Sequence, residues 1–538
     1  MSESGRSTAA GSADRQVELL ERLPATLREI VQPGAARPGA GHELICPRAA
    51  LRDLCRWLVD DLCCFFATLV VEETPAPAWS LAYVFYQREP WQEIDIRLEQ
   101  NIDERTVPTI SDIAHAADWH EREAEDLFGL AFEGHPRLGE FILHEDWPEG
   151  TNPMRKAFDA QRRLEPRSDL LWEPPTVVEA PGAFGMPIGP VYSDFAESAH
   201  FLLETVGEDV ITAIPRFFYK YRGVEKIAEG KTARDSLLLA ERFSGTSAFA
   251  HGLAFCQSVE AIAGIAVPPR ARTLRSLFAE LERLRHHAAT IKGICGSTAL
   301  AVATSQAALI EEDLLRLTCT AVGHRYFFGA LEPGGLTLDL TDEQCRTVAD
   351  DAQGVLLRLA ELERMLQYTS SFLDRLEEVG NITRQQAVDY GLVGPMARAS
   401  GITWDLRKAV PYAAYDGLAF AVPSEDEGDG YARLRVLFRE AEQAAGVISK
   451  AAANLPAGPV ATLFTPRAGT ALGATEAPVG ATFHWVRLDE DGIVERYRLT
   501  SPSFINWHGF HLAAENFAFQ DFPIILASLG LANAECDR

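Results

Sequence analysis

The chain has 538 residues, of which 47% are hydrophobic and 24% charged, and its formal net charge is −27 at pH 7. That length exceeds one ordinary core, so two or three domains are expected in a folded chain. The negative balance argues against a nucleic-acid partner and against adsorption to an anionic lipid face, and no stretch approaches the roughly 20 apolar residues of a membrane span.

In chain order, the first segment, MSESGRSTAAGSADRQ, is polar and lacks the apolar core of a signal peptide. Residues 1–45 therefore read as a partly disordered tail, and the protein as cytoplasmic. Residues 46–168 read as an α+β domain. Leu51 to Phe66 carries a helical apolar rhythm, and Ala67–Glu72 and Trp79–Tyr86 read as strands, with Pro75 and Pro77 breaking between them. Ile94, Ile96 and Leu98 alternate with charged residues, as a half-buried strand does. Within the following block, Glu121, Glu125 and Asp126 can face solvent, and Gly129 and Gly134 can turn the chain. A loop rich in proline and charge follows, and residues 169–188 are taken as a linker.

From Gly189 onward the chain reads as mostly helical with small β elements. Leu274, Leu277, Phe278, Leu281 and Leu284 share one helical face behind Pro268 and Pro269, and Val355, Leu359, Leu362 and Leu366 share another. Phe483–Arg487 and Val494–Leu499 read as late strands. His286 and His287 follow Glu280, Glu282 and Arg283, and the i,i+4 spacing lets Glu282 meet His286. Gly334–Gly335 lacks the strand–loop–helix setting of a phosphate cradle. The nine cysteines contain no C-x-x-C pair, so they read as buried or inert rather than as a disulfide framework or a metal site.

Two ordered blocks carry a resemblance. Glu121-Arg-Glu-Ala-Glu-Asp-Leu-Phe-Gly129, then His135-Pro136, Asp146-Trp147 and Pro153-Met-Arg-Lys156 resemble the small (30 kDa-type) hydrophilic subunit of complex I. Tyr221-Arg-Gly-Val-Glu-Lys226, Glu241-Arg242, Ala254–Glu260, Glu280–Arg283, Val393–Gly401, Trp404-Asp-Leu-Arg407, Glu476-Ala-Pro478 and Asn506-Trp507 resemble the large (49 kDa-type) subunit shared by complex I and nickel–iron hydrogenases. The fused order resembles the formate hydrogenlyase type of group 4 hydrogenase. The resemblance implies a scaffolding first domain without a cofactor, and a hydrogenase-large-subunit-like second domain over 189–538.

Nickel–iron hydrogenases hold their metals through R-x-C-G-x-C and D-P-C-x-x-C. The corresponding segments here are Arg242-Phe-Ser-Gly-Thr-Ser247 and Gly530-Leu-Ala-Asn-Ala-Glu535, so Ser244, Ser247, Ala532 and Glu535 stand at the four thiolate positions. Neutral hydroxyls are too hard for that site, which argues for no nickel. Both quinone-head contacts of the complex I branch are replaced as well, by Tyr192 and Ala233. The resemblance implies an acceptor region around Tyr192, His200, Arg242 and Glu535. It also implies coupling charges at Glu225, Lys226, Glu280, Glu282, Arg283, Asp405 and Arg407. This chain is expected to bind no cofactor itself. An iron–sulfur cluster is expected on a small partner subunit, with a quinone-type acceptor at their interface. Antiporter-type membrane subunits would hold the assembly at the membrane. The alternative is an inactive scaffold for such a membrane module. A buried Glu535 needs a counter-charge, and Arg242, Arg270 or Arg538 is expected to supply it.

Overall fold

The computed structural model describes residues 18–35, 37, 42–74, 78–88, 91–167, 178–179, 181–191 and 197–538. The chain is mixed α+β and divides into two compact units, Met1–Glu173 with Asp389–Gly391, and Pro174–Val388 with Leu392–Arg538.

The first unit is built on a five-stranded sheet, β1 (Gln32–Pro33), β2 (His42–Ile45), β3 (Phe65–Thr74), β4 (Ala78–Arg88) and β5 (Trp91–Asn101), in the order β1-β2-β5-β4-β3. Only the β2–β5 pair is parallel. Residues expected in the tail thus form two strands of this sheet. The apolar rhythm expected to continue to Phe66 is helical only over Leu51–Arg56 and a π turn at Trp57–Asp61, because Phe65 and Phe66 pair across to Tyr86 and Phe85 in β4. Strand β5 is buried more deeply than its alternation suggests: Ile94, Ile96 and Leu98 are fully buried, but so is Asp95, whose carboxylate takes Arg37 Nε at 2.9 Å. Pro75 and Pro77 lie outside the described residues.

Short strands β6 (Thr106–Pro108) and β7 (Ala131–Glu133) pair in parallel on either side of helix α1 (Ala117–Phe128). Of the three acids expected to face solvent, Glu121 is buried and Glu125 and Asp126 are only partly exposed. Glu121 is fully buried, accepts the Ile110 amide at 2.7 Å and takes the Thr109 hydroxyl; burial pushes its carboxyl up to about 8. Asp126 Oδ2 accepts the amides of Phe141, Ile142 and Leu143 at 3.0, 2.7 and 3.0 Å, and Glu125 accepts that of Gly139 at 2.6 Å. Carboxylates in this block therefore bind loop amides that have no ladder partner. Gly129 ends the helix at φ +77°, where a Cβ would also sit 2.5 Å from Asn152 Oδ1.

The second unit opens with an antiparallel sheet of β8 (Ala183–Ile188), β9 (His200–Val206) and β10 (Asp209–Arg216). Strand β8 occupies part of the expected linker, and residues 169–177 and 180 of that stretch lie outside the described residues. Helices follow: α2 (Ala248–Ala263), α3 (Pro269–Ser297), α4 (Ala301–Val322) and, after the small hairpin β11 (Leu331–Glu332) and β12 (Gly335–Leu336), α5 (Asp342–Gln367). Short helices α6 (Gly394–Arg398) and α7 (Leu406–Ala409) precede α8 (Gly430–Ala453). Helices α3, α4, α5 and α8 pack in a ring, each against its neighbours. Both predicted apolar stripes point into that bundle: Leu274, Leu277, Phe278, Leu281 and Leu284 are fully sealed, and Val355, Leu359, Leu362 and Leu366 close the other side. A three-stranded sheet, β13 (Gly469–Ala477), β14 (Gly480–Leu488) and β15 (Val494–Thr500), lies against α2. Gly473 permits the approach, since a Cβ there would fall 1.9 Å from the Ala254 carbonyl oxygen. Helix α9 (Pro502–His508), strand β16 (Glu515–Ala518), which pairs with β10, and helix α10 (Phe522–Leu529) lead to the C-terminal segment.

Candidate functional site

The loop before α2 and the C-terminal segment meet, as the two motifs must. Ser244, Ser247, Ala532 and Glu535 are all buried. Glu535 Oε1 lies 3.4 Å from both Ser244 Oγ and His251 Nε2, and its Oε2 accepts the Ser503 amide at 3.2 Å. Ala532 contributes a methyl group and no donor atom to bind a metal. The partner beside Glu535 is therefore a histidine, which corrects the expected arginine. Arg242 sits 3.3 Å from Glu241 and over the Phe328 ring, Arg270 pairs with Asp339 at 2.8 Å, and Arg538 Nε lies 3.5 Å from Glu225. Burial alone would raise the Glu535 carboxyl, but His251, Ser503 and Ser247 outweigh it and hold it below the usual range.

His251 also belongs to a line of rings that the motifs did not reveal. Its Nδ1 is 3.0 Å from His484 Nε2, and His484 Nδ1 is 2.8 Å from the Tyr497 hydroxyl. Helix α2 and strands β14 and β15 supply one member each, held by the Gly473 contact that seats this sheet on α2. Burial, then the neighbouring His251, pushes His484 far below the ordinary imidazole range, and burial pushes the Tyr497 phenol far up. With neutral rings, Tyr497 O–H donates to His484, His484 Nε2–H to His251, and His251 Nε2–H to Glu535. This arrangement can hold or pass a proton along existing hydrogen bonds.

The candidate charges fall into separate clusters. Glu225 is buried against Arg496 at 3.0 Å, Arg498 at 3.3 Å and Arg538, and accepts the Leu499 amide at 3.0 Å. Burial opposes its ionisation, yet these cations depress its carboxyl. Lys226 turns to Glu229 at 3.0 Å. Glu282 does not meet His286. It accepts the amides of Phe249 and Ala250 at 2.7 and 3.0 Å in the first turn of α2, and burial pushes it up to about 7; His286 Nε2 instead lies 3.3 Å from the Gly530 carbonyl. Glu280, Arg283, Asp405 and Arg407 do come together: Arg407 Nη1 is 2.9 Å from Glu280, Arg407 Nη2 2.6 Å from Asp405, and Arg283 Nε 3.2 Å from Glu280. His200 begins β9, buried, with its imidazole lowered by burial and by Arg216. Tyr192 lies outside the described residues. Among the described residues, no group of three or more His, Cys, Asp or Glu is arranged to hold a metal ion, and no helix is long and apolar enough to cross a membrane.

The family model for the 30 Kd subunit of respiratory-chain NADH dehydrogenase matches residues 44–164. That for the 49 Kd subunit matches 301–466 and 460–538, and that for nickel-dependent hydrogenase matches 222–290. Formate hydrogenlyase subunit 5 of Escherichia coli (strain K12) is 31% identical over 83% of this chain and 79% of its own length. The chain belongs to this family of fused complex-I-type and hydrogenase-type subunits. Hydrogenase-4 component G of the same organism is 30% identical over 81% of this chain and 76% of its own length. The C/D subunit of NADH-quinone oxidoreductase from Acinetobacter baumannii (strain AYE) is 28% identical over 86% of this chain and 85% of its own length. The nickel-dependent hydrogenase match over 222–290 includes Ser244, Ser247 and His251, and the second match of the 49 Kd subunit model, over 460–538, includes Ala532 and Glu535. His251, His484 and Tyr497 lie outside the motifs, and only the position of His251, four residues after Ser247 and in the first turn of the helix that Ser247 precedes, links it to them in sequence.

Proposed function

We propose that this protein is the fused large subunit of a complex-I-like, hydrogenase-related membrane redox assembly that works without nickel. The observation that carries this reading is the donor set: two serine hydroxyls, a methyl group and one carboxylate already engaged by His251 and the Ser503 amide. None is a thiolate, and Ala532 has no donor, so the set does not fit a nickel–iron centre. The residues there suit proton handling instead, because Glu535, His251 and His484 are linked by hydrogen bonds. A partner subunit bearing an iron–sulfur cluster would bring electrons to this face, and an acceptor of the quinone type would take them up. Antiporter-type membrane subunits would tie the chain peripherally to the cell membrane. Relatives named as subunits of NADH-quinone oxidoreductase and formate hydrogenlyase support such an assembly.

The test is affinity purification of the chain with its partners, followed by elemental analysis and assay of hydrogen evolution. The expected result is iron carried by a partner, no stoichiometric nickel and no hydrogen. About one nickel per chain overturns the reading. The alternative, a redox-silent scaffold for the same membrane module, is favoured if the membrane subunits co-purify and no cluster-bearing subunit does.

A further inference from the structure

The bundle contains a second polar assembly that the sequence motifs only half disclose. Around Arg283, Glu280, Asp405 and Arg407 the fold adds Arg398, Glu440, Glu476 and His287, all fully sealed from solvent. Arg398 Nε donates to Glu440 at 2.5 Å, its Nη1 and Nη2 both reach Glu476 Oε1 at 3.0 Å, and Nη1 is 3.3 Å from Asp405. Glu476 Oε2 accepts the Leu406 amide at 3.0 Å. His287 Nε2 is 2.8 Å from Glu440, and Arg283 Nη1 is 3.9 Å from it. Tyr415 donates to Glu280 at 2.6 Å, and Tyr412 accepts the Glu476 amide at 2.9 Å. Of the neighbouring charges of α3, Glu282 turns to the α2 amides, Arg285 to the Gly245 and Thr246 carbonyls at 3.1 and 2.6 Å, and His286 lies between the Gly530 carbonyl at 3.3 Å and His287 Nδ1 at 3.5 Å.

Among the described residues, three guanidiniums therefore face four carboxylates, one negative charge in excess, with a single imidazole as the other titratable base at the carboxylates. An uncompensated charge in a sealed interior is costly, and the usual relief is to bind a proton. We propose that this cluster binds one exchangeable proton, held on Glu476, and is electrically neutral when loaded. The proton adds to one carboxylate oxygen and is returned on release, so no other bond changes. The assignment to Glu476 follows from its neighbours. Glu440 shares Arg398 but is approached also by His287 and Arg283, and Asp405 and Glu280 are straddled by Arg407. The Glu476 carboxylate has one cation in direct contact, Arg398, shared with two other carboxylates, while Arg283 donates to the backbone carbonyls of Glu476 and Ala477 at 2.6 and 3.1 Å. In agreement, burial and then Asp405 push Glu476 up to about 7, Arg398 and His287 outweigh burial to hold Glu440 far down, and burial lowers His287. Helices α3, α6, α7 and α8 and strand β13 all contribute a charged member, so loading changes the field felt by five elements at once.

The experiment is infrared difference spectroscopy of the purified full chain, titrated from about pH 5 to about pH 9 to bracket the shifted carboxyl. Buried Glu93, Glu121 and Glu282 also carry raised carboxyls, so the signal is read against variants. The expected result is an un-ionised carboxyl band lost near pH 7 in the wild type and missing from Glu476→Gln. His287→Gln should retain that band. Asp405→Asn removes the excess charge by another route and should move the loss of the band to lower pH. A wild-type band unchanged by Glu476→Gln, a band abolished by His287→Gln, or a midpoint unmoved by Asp405→Asn each overturns the proposal.

Discussion

Glu535 is the residue on which the proposed absence of nickel chiefly rests. Motif order in the sequence led to the expectation that it stands at a thiolate position, and the structure brings it beside Ser244. Its partner was not legible in the sequence, since His251 is 284 positions away and reaches it only when α2 and the C-terminal segment fold together. Removing the carboxylate leaves the buried His251 N–H and the Ser503 amide without their acceptor, at a cost of about 1–3 kcal/mol for each unsatisfied donor. Glu535→Ala is therefore expected to lower the melting temperature at neutral pH, and Glu535→Gln, which keeps an oxygen for His251 and the Ser503 amide, to lower it less. The pH dependence has a definite sign. The folded carboxyl is depressed below its ordinary value of 4.5, so its contribution is present above that value and fades as pH falls through the lower folded value. Acid unfolding of Glu535→Gln should show a shallower slope below about pH 4.5. Equal slopes in wild type and variant, or a Glu535→Ala protein as stable as wild type, would remove the buried pair as a source of stability.

Two helices of the bundle, α3 and α5, were readable as elements because their apolar stripes keep helical spacing. Strands were harder. His200–Val206 and Asp209–Arg216 form a hairpin around Gly207 in a region read as helical, where the Val-Gly-Glu-Asp turn between two apolar runs was the available signal. Gly469–Ala477 was missed because it is rich in alanine and glycine, residues depleted in strands; its smallness serves contact with α2. Gly473→Ala tests that contact. The added Cβ would fall 1.9 Å from a backbone oxygen that cannot rotate away, so the substitution should cost at least the ~1–3 kcal/mol of an overpacked core, read as a lower denaturation midpoint. A midpoint within error of wild type would show that the sheet and α2 are not held at this distance. In the first unit, Asp126→Ala should release the Phe141–Leu143 segment, which leans on three amide bonds to one carboxylate oxygen. Hydrogen exchange at those three amides should accelerate while the β4–β5 ladder stays protected. Unchanged exchange at all three would contradict that anchoring role.

At the scale of the whole molecule, composition and motif order carried the family and the mixed fold, while the wiring of the interior stayed hidden. The carboxylates of α1 and β5 read as solvent-facing because charge pattern cannot distinguish a solvated acid from one that binds loop amides or a distant arginine such as Arg37. The net charge of −27 nevertheless has a direct consequence. An anionic bilayer repels such a surface, and at physiological salt the screening length of about 8 Å leaves no long-range attraction to offset this. No helix among the described residues is long and apolar enough to cross a bilayer, and under the proposed function attachment runs through protein partners. In cell extracts the chain is expected to sediment with membranes and to be released by an alkaline wash without detergent. After release and purification it should fail to float with vesicles of anionic lipid at about 0.15 M salt. Loss of the membrane partners should then shift it to the supernatant. Flotation of the purified chain with bare vesicles would mean that it binds lipid itself, and a chain wholly in the supernatant of intact cells, with no membrane protein crosslinked to it, would remove the membrane assembly from its function.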